Sequence, residues 1–487
     1  MVTRRALSAA TIAVAFAALS ACGTDSPVVQ PIIETPPETS AAYPYEGIDE
    51  IELSIARAGD DRDLVSATFR TGEPIVLRDI PFGDDLVVHM RGLNSGSEIA
   101  YGRTCAVSLR SDSTVEPHLY FSRVVKWGPG APMTQSGRID GNAYSVTDGR
   151  DAVFVGGGAT SIERFSAITG EFVELDAKTI ARDDASLAAL GNGRALIVGG
   201  VSQGSAVPMT EVIDPLATGD RQIDVQPGPA LANTRAISLV DGSVLVSGGD
   251  EEINSSFSLS GKGFLFRLGD GDILEAPRQL SSTLTTARRL HAVTRLSDEL
   301  GADVLITGGQ DAADQALGTA ELYRPLSQVF ETVDGATMLV PRWGHKAVRL
   351  PGGFVLLVGG FTHDLLGGAD IAVDQLELYD PVQGRFTDAG TLPINAGINS
   401  FSITRLPDGR YLIAGGLTVT GDAVATSFIV RRDPITGFVD VSRTDDMASA
   451  RAGHSATLLC DGTVLLAGGS TTSAAPERYN PPATGRR

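Results

Sequence analysis

The chain has 487 residues, 42% of them hydrophobic, and a formal net charge of −20 from 59 acidic and 39 basic side chains. A surface that negative repels nucleic acid and anionic lipid, so neither is expected as a partner, although the charge also serves solubility. Beyond one apolar run near the N-terminus, no segment is apolar and long enough to cross a membrane as a helix.

That run opens the chain. Arg4 and Arg5 precede an Ala-rich stretch from Ala6 to Ala21, which is too short for a good membrane span and ends in Leu19-Ser20-Ala21-Cys22. The tetrapeptide resembles the lipobox of bacterial lipoproteins. The resemblance implies that residues 1–21 are a cleaved signal peptide and that Cys22 is the lipidation site and new N-terminus. An ordinary secretory signal with an incidental Cys is the alternative. Gly23 is similar to what outer-membrane lipoproteins carry at that position, so the expected location is the bacterial cell envelope, periplasmic or surface side. The export route, Sec or Tat, stays open. Acylation would be the only membrane attachment, since two or three acyl chains anchor stably. Residues 22–44, rich in Pro and Thr and without amphipathic period, read as an extended tether.

Residues 45–121 form a separate module. Ile51, Leu53 and Ile55 alternate with polar residues, and EPIVLRDI, DLVVHMRGL and TCAVSL follow between Gly, Asp and Asn turns. Such short strands suggest a small antiparallel β-sandwich. The run from Val76 to Thr104 loosely resembles immunoglobulin-like or transthyretin-like accessory domains of bacterial surface proteins.

From about residue 122 onward the chain repeats itself. AVFVGGG, ALIVGG, VLVSGG, VLITGG, VLLVGG, YLIAGG and VLLAGG follow one another, their glycine doublets 43 to 60 residues apart. Before each lies an apolar run and a turn such as CDG, PDG or PGG, the signature of a hairpin, because Asn, Asp and Gly tolerate positive φ. After each comes a variable loop and a third strand, as in AELYRPLSQVF, LELYDPVQGRF and TEVIDPLATGD. Four short antiparallel strands per unit, the second closed by a Gly pair, resemble the kelch repeat. The resemblance implies a seven-bladed kelch-type β-propeller over 122–487, so the expected class is all-β: a propeller preceded by a small sandwich. Each unit's two apolar faces can be buried only against neighbouring units, which agrees with a ring. The seventh unit is short of a fourth strand, and an orphan strand precedes the first. Val124–Trp127 is therefore expected to close blade 7.

Six arginines stand shortly before the first strands of their blades: Arg138, Arg182, Arg235, Arg288, Arg342 and Arg451, with Asn395 in blade 6. One reading is a guanidinium ring at the channel mouth that binds carboxylate or phosphate; some kelch proteins bind acidic peptides with arginines there. The other is that each arginine ties its blade to the next through backbone carbonyls, and repetition in nearly every blade favours it. His291, His345 and His454 follow three residues after Arg288, Arg342 and Arg451 and read as structural, since no second ligand set accompanies them. The long loops 250–263 and 361–375 are acidic but lack the calcium-loop spacing. No metal and no cofactor are expected.

A non-enzymatic, monomeric binding scaffold for a protein or glycan partner, acting through one propeller face, is the expected function. A structural envelope component without a ligand is the alternative. A third reading, a copper-dependent oxidase resembling galactose oxidase, is set aside because Cys105 and Cys460 lie away from the channel mouth. These two face an oxidising compartment. Strand direction in a meander puts the turn holding Cys460 on the same side as the start of blade 7's fourth strand, where the sandwich is attached. A Cys105–Cys460 disulfide is the resulting expectation; two separate buried thiols are the alternative.

Overall fold

The structure, a computed structural model, describes residues 28–29, 31–60, 62–70, 80–110, 114–133, 143–147, 150–156, 159–214, 216–217, 223–363, 370–393, 399–469 and 475–482. The signal peptide, Cys22 and Arg138 lie outside these residues, as does Asn395. No described helix is long and apolar enough to cross a membrane. Two compact units divide between Val124 and Val125.

The first unit is built on one antiparallel sheet in the order Ser122–Arg123, Ser97–Arg103, Gly83–Asn94, Glu50–Arg57 and Asp63–Arg70, with Val107–Leu109 also paired to Gly83–Asn94. Its core holds Leu53, Ile55, Leu86, Val88, Met90 and Phe121. Two two-stranded sheets accompany it, and their Val29 and Leu119 share its core. The tether needs correcting. Val28–Val29 pairs in parallel with Thr114–Val115, and Ile32–Glu34 with His118–Tyr120. Val29 and Ala42 have no exposed surface, so the ordered unit reaches back at least to residue 28. Strands of two or three residues are too short to show a period, and prolines beside them are tolerated at sheet edges.

Among its described residues the second unit contains seven four-stranded antiparallel sheets. Their first strands are Ala143–Thr147, Ser186–Ala189, Arg235–Ser238, Ala292–Arg295, Lys346–Arg349, Ser402–Arg405 and Ser455–Leu458, here numbered sheets 1 to 7. These first strands lie side by side from sheet 1 to sheet 5, and from sheet 6 through sheet 7 back to sheet 1. Sheets 5 and 6 share a core of Leu356, Val358, Leu376, Phe401, Tyr411 and Ile413. The second strands, such as Val304–Thr307, Val355–Val358 and Val464–Ala467, are buried on both faces, as strands clamped between neighbouring sheets must be. With one three-residue 3-10 turn as the only described helix, this all-β architecture is consistent with a kelch-type propeller.

Two sequence signals find their cause here. In the Asp-Gly turns the Asp side chain accepts the amide two residues on: Asp408 from Arg410 (3.0 Å) and Asp461 from Thr463 (3.0 Å). The glycine doublets press backbone on backbone. Both Gly415 and Gly416 have positive φ, and a Cβ on Gly415 would come within 2.4 Å of the Arg451 carbonyl. That approach lets the Gly416 amide donate to the same carbonyl at 2.8 Å, and Gly309 does likewise to Arg342 at 2.9 Å. The doublets of sheets 2, 3, 4 and 6 so join their sheets to the next.

Sheet 7 takes its fourth strand from the far end of the chain. Lys126–Pro129 pairs antiparallel with Glu477–Asn480, with Trp127 opposite Tyr479. This is two residues later than Val124–Trp127, because Val125 adopts a left-handed φ of 61° and breaks the strand there. Trp127 is buried at 5% exposure, stacks on Tyr479 at 5.1 Å, and donates from its indole to Ser427 Oγ (3.0 Å) and the Asp445 carbonyl (3.1 Å).

Candidate functional site

The repeated arginines divide into two groups. Arg182, Arg288, Arg342 and Arg451 are buried, and each is clamped by its own sheet. Arg288 donates to the carbonyls of Gly308 (2.9 Å) and Thr319 (3.1 Å) and to Glu321 (2.7 Å). Arg451 reaches Gly468, Ala475 and Glu477 in the same way, Arg342 reaches Gly359, Gln375 and Glu377, and Arg182 reaches Gly199, Met209 and Glu211. The glutamates also accept backbone amides of the preceding linker, as Glu377 does from Leu339 (2.7 Å, on the oxygen away from the arginine) and Val340 (3.0 Å). Burial pulls Arg182, Arg288 and Arg342 below the usual arginine range, and the carboxylate beside each pushes back. A guanidinium with its donors committed has no fork to offer a ligand. These four pin the first strand's approach to strands two and three of one sheet.

Arg235 does not belong with them. Strand register puts it opposite Ser247, directly before a glycine doublet, as Lys346 is opposite Val358. The position that holds arginine elsewhere is Leu231 in sheet 3, whose carbonyl accepts from Gly200 at 2.8 Å as Arg342's does from Gly309. Spacing alone misaligned the residue, because the linker before sheet 3 has an arginine four residues too late. Arg235 is half-buried and donates from Nε to the His291 carbonyl (2.9 Å) and from Nη1 to Thr234 O (2.9 Å).

The glutamates are the members of the site that sequence reading overlooked. Their signal was present in AELY, LELY, TEVI and PERY, one Glu at one place in the third strand. In sheets 3 and 6 the same register position is Phe264 and Phe428; the arginine position is Leu231 in sheet 3, and in sheet 6 the residue preceding the Asn399 bridge in sequence is Ile398, not Asn395 as spacing suggested. Arginine and glutamate are lost together and replaced by an apolar pair, as expected of two groups that neutralise each other in a core.

The three histidines pair with hydroxyls of the preceding sheet: His291 with Ser247 (3.1 Å), His345 with Thr307 (2.9 Å) and His454 with Ser402 (2.9 Å). Burial, reinforced by nearby Arg and Lys charges, holds all three well below the usual histidine value, His454 at about 3. They are neutral braces at neutral pH. Cys105 and Cys460 are both disulfide-bonded, so neither offers a thiol.

At the doublet end of the sheets a second layer lies over these braces. The residue after each arginine position bridges to the residue after each doublet: Asp183 to Val201, Arg289 to Gln310, Trp343 to Phe361, Asn399 to Leu417. Hairpins project from the same end, among them Asp250–Ile253 with Ser256–Leu259, whose Ile253 and Phe257 are exposed.

No family model and no curated protein matches this chain. Among solved structures, YjhT aligns at 12% identity and a TM-score of 0.48, over 64% of this chain and 99% of its own. A fungal alcohol oxidase of the AA5 family, solved in complex with copper, aligns at 15% identity and a TM-score of 0.52, over 73% of this chain and 76% of its own. The second likeness shows a shared kelch-like β-propeller fold. It also corrects the expectation of a non-enzymatic protein, because that fold carries oxidase chemistry in the fungal enzyme. The donor set for copper is a separate matter. Among the described residues no three His, Cys, Asp or Glu side chains converge to hold a metal ion. Cys105 and Cys460 are both disulfide-bonded, so no free thiol remains among the described residues either, and these residues do not fit the copper group.

Proposed function

We propose that this chain is a lipid-anchored envelope protein whose seven sheets form a closed propeller that binds a protein or glycan partner through its doublet end. One observation carries the reading: at that end a varied outer layer sits on a repeated frame. Asp183, Arg289, Trp343 and Asn399 occupy equivalent bridge positions with four different chemistries, while the Arg–Glu–carbonyl clamps beneath repeat. A constant frame with a variable rim is how rigid scaffolds present binding residues. Anchoring rests on the Cys22 lipobox. A Cys105–Cys460 disulfide belongs to the same proposal, supported by both residues being half-cystines with Cys22 as the only other cysteine.

Proximity cross-linking on intact cells, with Phe257→Asp and Trp343→Asp variants as controls, tests it. A saturable partner lost in these variants supports the reading; unchanged capture by both refutes binding through that end. An oxidase-like role is a second reading, favoured by the fold shared with the fungal enzyme. Stoichiometric copper in purified protein, with alcohol-dependent peroxide release, would place it first.

A further inference from the structure

The sheets of the second unit have another end, opposite the glycine doublets, where first strands turn into second and third into fourth. There the turn between third and fourth strands lifts one large apolar side chain into water in five consecutive sheets. These tips are Leu216, Ile273, Leu326, Val382 and Ile435, in sheets 2 to 6. Leu326 is 84% exposed, and Val382 and Ile435 are each 93% exposed. Among the described residues eight large apolar side chains are at least 63% exposed; seven belong to this end, and Val419 alone to the doublet end. Single exposed apolar residues need no explanation, but recurrence at one place in five sheets does. The turns do not demand it, since turn positions favour Gly, Asn, Asp and Ser.

Hydrogen bonds hold the tips in place. In sheets 5 and 6 each tip follows an Asp-Pro pair. Asp380 accepts the amides of Val382 (2.8 Å) and Gln383 (3.1 Å), and Asp433 those of Ile435 (2.8 Å) and Thr436 (2.9 Å). Backbone bonds close the turns behind them, from Gly384 to the Asp380 carbonyl (2.8 Å), Gly437 to Asp433 (2.9 Å) and Gln328 to Arg324 (2.7 Å). In sheet 4 the longer turn between first and second strands brings exposed Leu300 close to Leu326, for a Cβ on the adjoining Gly301 would lie 2.8 Å from the Leu326 side chain. Arginines at this end are paired: Arg194 with Asp214 (2.9 Å), Arg324 with Glu331 (3.0 Å) and Arg295 with Asp298 (2.9 Å).

We propose that this end rests on a lipid bilayer of zwitterionic headgroups, with the five tips entering its interfacial layer. Charge selects the occupant. A second copy of the chain would set −20 against −20, whereas a zwitterionic surface brings no net charge. Arginines already paired spare the approach the cost of desolvating bare cations. The path of the chain agrees. It enters the second unit at Val125, and Lys126 starts the fourth strand of sheet 7 opposite Asn480, the last residue of the third, at this same end. With the turn end on lipid, the doublet end faces away from it, open to a partner. The proposal goes beyond the binding reading and rests on it only for bringing the chain to a membrane.

The test uses the chain from residue 22 onward with Cys22→Ser, which carries no acyl group, omits the apolar run 6–21 and keeps every described residue. Flotation with phosphatidylcholine vesicles reads its partition into lipid. The chain is expected to float with the vesicles, and the triple variant Leu326→Ser/Val382→Ser/Ile435→Ser to partition at least about tenfold less, since each apolar side chain withheld from lipid weakens binding a few-fold. Val419→Ser, at the doublet end, should leave the partition unchanged. All four positions are exposed, so thermal unfolding should not move and lost partition is not lost fold. No flotation of the parent chain, or equal flotation of the triple variant, overturns the proposal. A dimer in sedimentation velocity that the triple variant dissociates also overturns it, by giving this end to a second copy. Acylation of Cys22 is read separately by mass spectrometry of the chain from cells, and partner capture with Phe257→Asp, so failure of the lipid contact and failure of the binding reading are distinguishable.

Discussion

Replacing Arg342 by leucine should destabilise the propeller strongly, and a second substitution should restore it. Arg342 and Glu377 form an ion pair at 2.5 Å with neither side chain exposed. Removing the guanidinium strands the Glu377 carboxylate and takes a donor from the carbonyls of Gly359 and Gln375. Breaking a buried pair on one side costs about 3–5 kcal/mol. Glu377 keeps two backbone amides, so the lower part of that range, about 3 kcal/mol, is expected. At about 2.1 cal/mol/K of unfolding entropy per residue over roughly 350 residues, this lowers Tm by about 4 °C. Sheet 3 supplies the compensating change, since its own equivalents are Leu231 and Phe264. The double variant Arg342→Leu/Glu377→Phe should therefore recover most of the loss, because an apolar pair of similar volume is often neutral against a buried ion pair. Calorimetry of wild type, both single variants and the double variant gives the coupling energy directly. Additive losses in the double variant, or no loss in Arg342→Leu, would refute the clamp and reopen the arginines as ligand contacts.

The histidine braces predict a pH dependence. Their folded-state values are depressed, so below about 6.5 the unfolded chain takes up protons that the folded chain refuses, and stability falls as pH drops from 6.5 toward 3. For His454 the loss at pH 5 is about 2 kcal/mol relative to pH 7. His454→Phe, copying Phe401 of sheet 6, should remove that share of the slope; an unchanged slope in urea titrations at the two pH values contradicts it. Trp127→Ala should cost about 3–5 kcal/mol by emptying the closing strand's packing and two indole hydrogen bonds. A Tm within 1 °C of wild type, a shift of less than about 1 kcal/mol at this size, would mean the strand does not close the ring. Non-reducing peptide maps should yield one cross-linked peptide containing Cys105 and Cys460, with about 5 kcal/mol of stability lost on reduction in the chain-entropy model. Two alkylatable thiols in native protein would refute the pairing.

Much of the repeated-sheet architecture was legible in the chain itself because its signals are local. Glycine doublets, Asp-Gly turns and two-sided apolar strands each reflect one sheet or one contact between adjacent sheets, so periodicity exposes them. The repeated arginines were legible as positions but not as roles. Their glutamate partners lie 26 to 35 residues downstream in the third strand, and only folding brings the two together under a glycine carbonyl. Arg235 shows the same limit. It imitates the clamp by spacing, yet a linker of different length moves it four positions along the register, where it bonds to the carbonyls of Thr234 and His291 instead.

Composition, repeat and turn chemistry were thus determined by the sequence alone, since they depend on residues near one another in the chain. Tertiary structure decided which charges are neutralised. Burial and register commit four arginines to carbonyls and glutamates and hold three histidines neutral against hydroxyls. Charge in a protein interior is governed by what surrounds it in space, and for these residues the surroundings come from other sheets.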